Sequence, residues 1–88
     1  MAPVELDPVI ADEVPWAPTL TAYDEAHLIV YLRLIDARAA GATDDDIARI
    51  VLKIDPAQEP ERAKVVLETH MSRVRWLTEH GYKELLKR

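Results

Sequence analysis

The chain has 88 residues, no cysteine and a formal net charge of −5. That length supports one modest core without disulfide support, in keeping with a reducing cytoplasm. No long apolar run or basic secretory leader is visible, and an excess of acid is the reverse of the usual nucleic-acid binder. The imbalance is graded along the chain. Residues 1–20 carry four acids and no base, 21–55 seven acids and four bases, and 56–88 five acids and seven bases.

Four of the six prolines fall in the first 18 residues. Proline removes a backbone donor and biases the preceding residue away from helix, so residues 1–20 are expected to be a flexible, extended acidic tail. Leu6, Val9, Ile10, Val14 and Trp16 give that tail the means to dock. Residues 21–88 are expected to be the folded domain.

Helix one is predicted from Thr21, where Thr21-Ala22-Tyr23-Asp24 resembles a capping box, to the stop at Gly41. Leu28, Tyr31, Leu32, Ile35 and Ala39 form its main apolar face. Val30, Leu34 and Ala37 form a weaker one behind. Helix two is capped by Thr43, followed by Asp44, Asp45 and Asp46 at the positive end of the helix dipole. Ile47, Ile50, Val51 and Ile54 are its expected buried side, and Asp55-Pro56 ends it. Helix three should run from Glu59-Pro60 to about Glu79 on a core stripe of Ala63, Val66, Leu67, His70, Val74 and Leu77. Val65, Thr69, Ser72 and Trp76 lie opposite. Lys83 to Lys87 reads as a short terminal helix burying Leu85 or Leu86. The fold class is therefore all-α, a small bundle of about four helices.

Helix two, its connection and helix three have the outline of a variant helix-turn-helix, with Gly41-Ala42-Thr43 and Asp46-Ile47-Ala48 as the opening. A plain bundle is the competing reading. If helix three reads DNA, the candidate contacts are Arg62, Lys64, Arg73 and Arg75. A solvated basic face explains the same residues. Acids at Asp44, Asp45, Asp46, Glu59 and Glu61 would repel phosphate, so DNA binding is expected to be disfavoured.

No metal site is expected, since His27, His70 and His80 have no compact ligand spacing and thiolates are absent. His70 reads as a core histidine. Without a nucleophile motif or a Gly-rich phosphate loop, neither enzyme activity, a cofactor nor a small-molecule ligand is expected. Trp16 and Trp76, with Val65 beside the latter, are candidate anchors for a protein partner. The blander reading of Trp76 is cover by helix one or four.

Tyr31-Leu32-Arg33-Leu34-Ile35-Asp36-Ala37, Ile54-Asp55-Pro56, Glu59-Pro60-Glu61-Arg62-Ala63 and Ser72-Arg73-Val74-Arg75-Trp76-Leu77 through Tyr82 occur in an order that resembles a proteobacterial "domain of unknown function" family of variant helix-turn-helix regulators. That family includes QseM-type antiactivators and the FseA excision activator of integrative and conjugative elements. The resemblance implies a cytoplasmic antiactivator that binds transcriptional activators of the LuxR-class TraR type and the FseA type, repressing excision and conjugative transfer. The rival expectation is a DNA-binding helix-turn-helix transcription factor. On the antiactivator expectation, Asp44, Asp45, Asp46, Trp16, Val65 and Trp76 are the partner-binding candidates.

Overall fold

Thr21 opens the helical part of the chain with a reciprocal cap. Its hydroxyl accepts the Asp24 N–H at 3.1 Å, while the Asp24 carboxylate accepts the Thr21 N–H at 3.0 Å. The computed structural model describes residues 3–81. The expected terminal helix over Lys83–Lys87 lies outside them. The helices are α1 (Ala22–Ala26), α2 (Leu28–Ala39), α3 (Asp44–Ile50) and α4 (Pro60–Trp76), and a π-helical turn, Leu77–Gly81, extends α4. No strand occurs among the described residues. The architecture is the small all-α bundle expected from the sequence.

Helix one is two helices, because the backbone leaves helical geometry at His27 (φ −102°, ψ 15°). The His27 ring bridges two carbonyls there, with Nδ1 2.7 Å from Tyr23 O and Nε2 2.7 Å from Val9 O. Gly41 closes α2 at φ 82°, as its position after the last apolar residue implies. The buried face of α2 is turned from the expected one. Val30 and Leu34 of the weaker stripe are buried together with Tyr31 of the main one, and Leu28 packs on the core, whereas Leu32 and Ile35 are 59% and 38% exposed.

Thr43 caps α3 by accepting the Asp46 N–H at 3.2 Å. The helix ends at Ile50, which is exposed, and Val51, Leu52 and Ile54 enter the core from the connection. Lys53 produces this change of direction. It sits at φ 60°, and the next residue returns the Ile54 N–H to Ala48 O at 3.0 Å. A left-handed non-glycine residue costs about 1–2 kcal/mol, and glycine adds about 0.5–1 kcal/mol of chain entropy in exchange for relieving it. Lys53→Gly should therefore raise stability by about 0.5 kcal/mol, and Lys53→Val should lower it by about 1 kcal/mol or more. Urea titration of the two variants checks both signs.

Pro60 occupies the first turn of α4, where its missing donor is harmless. Ala63, Val66, Leu67, His70, Val74 and Leu77 are all buried, so the predicted stripe is the observed one. α4 packs against both α2 and α3.

The N-terminal segment, extended as expected, carries more core than its composition implied. Pro8 and Val14 are buried, and Ile10 and Leu20 pack on the core. Backbone groups along it are held in turn. Glu5 N–H donates to Ala26 O, Ala11 N–H to the Tyr23 hydroxyl, and Val14 N–H to Thr69 Oγ1. Arg33 donates to Leu6 O. The segment crosses α1 and α2 and reaches α4.

Candidate nucleic-acid interface

The scaffold behind the interface is a buried charged cluster. Arg73, on the inner face of α4, is fully buried, as is Asp24. Its guanidinium donates to both carboxylate oxygens of Asp24, from Nε at 3.0 and 3.2 Å and again from NH2. Its remaining donors reach Ala17 O at 2.7 Å and Thr19 O at 2.9 Å. Tyr31 donates its hydroxyl to Asp24 at 2.8 Å. Trp16 and Trp76 flank the guanidinium, 4.9 and 4.3 Å from it at their ring centroids, and meet each other edge to face at 6.0 Å. Thus Arg73, a candidate DNA contact in the sequence, faces away from solvent and is fully engaged. Trp76 is half-buried, and among the described residues Trp16 of the N-terminal segment meets its ring.

Burial pushes the Asp24 carboxyl up, but the bonds from Arg73, Thr21 and Tyr31 outweigh it and hold the group below its ordinary value. At His70 the balance runs the other way, and burial favours the neutral ring. Burial lowers its pKa, opposed by its bond to Val66 O, while the Tyr23 hydroxyl meets Nε2 at 2.6 Å. Every buried side-chain nitrogen and oxygen among the described residues has a hydrogen-bond partner.

The outer face of α4 carries Glu61, Lys64, Val65, Glu68, Ser72 and Arg75, all exposed. Lys64 and Arg75 are eleven positions apart, which returns them to nearly the same side of the helix, about 16 Å apart along its axis. Two shallow clefts flank this ridge. Asp44, Asp45, Lys64 and Glu68 line one, and Glu13, Trp16, Val65, Thr69 and Ser72 line the other beside the same Glu68. Asp44 and Asp45 thus stand on one flank of the ridge, and Trp16 and Val65 on the other.

Pairing decides which charges are available. Arg38 bonds Asp44 at 2.8 Å, Arg49 bonds Asp46 at 3.4 Å, and Arg33 lies 3.6 Å from Asp7. Arg62 bonds Asp12 at 2.9 Å and Glu59 at 3.3 Å. Among the described residues Lys53, Lys64 and Arg75 are the bases without an ion-pair partner. Lys53 was not singled out in the sequence, since nothing but its unusual backbone marks it. No helix among the described residues is long and apolar enough to cross a membrane, and no group of ligating side chains there could hold a metal ion.

A model of the RovC_DNA-bd family, described as "T6SS, Transcription factor, DNA binding domain", matches residues 6–87. The chain belongs to that family. None of the characterised proteins compared with the chain matches it. The RovC_DNA-bd family is one of DNA-binding domains rather than enzymes, and its match takes in most of the N-terminal segment together with the helices. Membership overturns the expectation that DNA binding is disfavoured. That expectation counted the acids at the starts of helices two and three as facing phosphate. Three of those five acids, Asp44, Asp46 and Glu59, are paired with Arg38, Arg49 and Arg62; Asp45 and Glu61 have no ion pair among the described residues, and neither do Lys64 and Arg75.

Proposed function

We propose that the protein is a DNA-binding transcription regulator that lays α4 into the major groove, with Lys64 and Arg75 on phosphates and Ser72 and Glu68 at base edges. It would act where the DNA is, in the cytoplasm. The observation that carries the reading is membership of a DNA-binding family in a chain whose one long helix presents unpaired cations at both ends of its outer face. A serine hydroxyl accommodates several bases, whereas a carboxylate accepts from the cytosine amino group, so Glu68 favours sites with a cytosine opposite it. The antiactivator expectation came from a family resemblance and was preferred because acids disfavoured DNA; the family match supports the DNA-binding alternative instead.

Few free cations imply few phosphate contacts. Two, from Lys64 and Arg75, give a slope of log affinity against log salt near about −2, and Lys83, Lys87 and Arg88 would steepen it to about −5. Selection from a random duplex library, followed by anisotropy titration of the winning site over a salt series, measures this. Lys64→Ala is expected to flatten the slope by about one. Selection that enriches no sequence would reject the reading, as would a slope unchanged in both Lys64→Ala and Arg75→Ala.

A further inference from the structure

α2 has a second apolar face that is left exposed at Leu32 and Ile35. Leu28, Leu32, Ile35 and Ala39 follow a 4-3-4 spacing, which lines them up as a straight seam beside Tyr31 and away from the buried Val30 and Leu34. Val74 and Leu77 at the end of α4 complete a groove with that seam, and no charged residue lines it. Phosphate has nothing to hold there, so its occupant is apolar.

The chain supplies such an occupant at the rim. Leu77 and Thr78 line the groove within one turn of Gly81, the last described residue, and the sequence continues Tyr82-Lys83-Glu84-Leu85-Leu86-Lys87-Arg88. Tyr82, Leu85 and Leu86 recur at i, i+3 and i+4, and the remaining residues are all charged. Seven residues reach about 10 Å as a helix and about 23 Å extended. The seam from Leu28 to Ile35 is about 10 Å long, so either form spans it. The family match runs to residue 87 and so takes in this segment. Attachment at the rim also gives it a millimolar effective concentration, which a second copy of the chain does not reach.

We propose that Tyr82, Leu85 and Leu86 of the chain's own C-terminal segment fill the groove between α2 and the end of α4, closing this face to other partners. The proposal is independent of which surface meets DNA. In the full-length, methyl-labelled protein, the Leu85 and Leu86 methyls should show cross-relaxation with those of Leu32 and Ile35. Leu85→Asp with Leu86→Asp should lower Tm by on the order of 10 °C and make sedimentation concentration-dependent, as the bared groove self-associates. Absence of those methyl contacts in the wild-type protein overturns the proposal without reference to any variant. So does a wild-type dimer that Leu32→Asp converts to monomer while the C-terminal resonances stay in place, because the groove would then belong to a second copy.

Discussion

Asp24→Ala is expected to leave the domain largely unfolded at 37 °C. The carboxylate is fully buried and accepts from Arg73, Tyr31 and the Thr21 backbone, so its removal strands a buried guanidinium and takes away one half of the reciprocal cap of α1. Breaking one partner of a buried ion pair costs about 3–5 kcal/mol. The whole domain holds only about 5–15 kcal/mol. Thermal melting by circular dichroism should show Tm lowered by on the order of 15–30 °C. Replacing both partners with apolar residues, Asp24→Leu with Arg73→Met, should recover much of the loss, since no uncompensated charge remains. A single Asp24→Ala variant that melts like the wild type would show that the cluster contributes little.

The same cluster sets the response to acid. Asp24 has a folded pKa below its unfolded value of 3.8, so its contribution is complete above that pH and is lost as pH falls through the lower folded value. His70 has a folded pKa below 6.5, since burial disfavours its charged form. A depressed value again means that stability is present above the unfolded pKa and declines as pH falls below it. Two stages of acid destabilisation are therefore expected, one beginning below pH 6.5 and one below 3.8. His70→Gln should remove the first and retain the second, as read from Tm across a pH series.

How far the sequence revealed this arrangement depends on what each residue's position could signal. The α4 stripe was legible because Ala63, Val66, Leu67, His70, Val74 and Leu77 keep helical spacing along one face. Arg73 falls on that stripe between His70 and Leu77, so its position on the wheel carried the evidence of burial, while its charge argued for the surface. The deciding partner, Asp24, lies 49 residues away, and its capping role in α1 accounts for it without any long-range contact. On α2 two apolar stripes competed, and of the richer one Tyr31 reaches the core while Leu32 and Ile35 stay outside. Only the crossing of α4 and the N-terminal segment decides between them. The break at His27 depends on the Val9 carbonyl, again a distant group. Ion pairing was least legible of all. Arg62 with Asp12 and Arg38 with Asp44 are surface pairs, and a count of charges by segment cannot show which cations they leave free.

That pairing separates two arginines only two positions apart. Lys64→Glu with Arg75→Glu is expected to weaken specific DNA binding by 100-fold or more at physiological salt, with Tm nearly unchanged. Both side chains are exposed and without ion-pair partners among the described residues, so reversing them costs the fold little. At the interface each reversal removes a phosphate contact and adds a repulsion of comparable size. A combined loss of about 2.7 kcal/mol corresponds to 100-fold. Because the effect is electrostatic, it should shrink as salt is raised, whereas a defect in base recognition would persist. Arg73→Ala should also abolish binding, but by unfolding the domain, and its circular dichroism melt will show the loss before any titration does. Comparing the two variants by melt and by anisotropy assigns Arg73 to the fold and Arg75 to the DNA. Wild-type affinity in a folded Lys64→Glu, Arg75→Glu protein would mean that α4 does not present this face to the duplex.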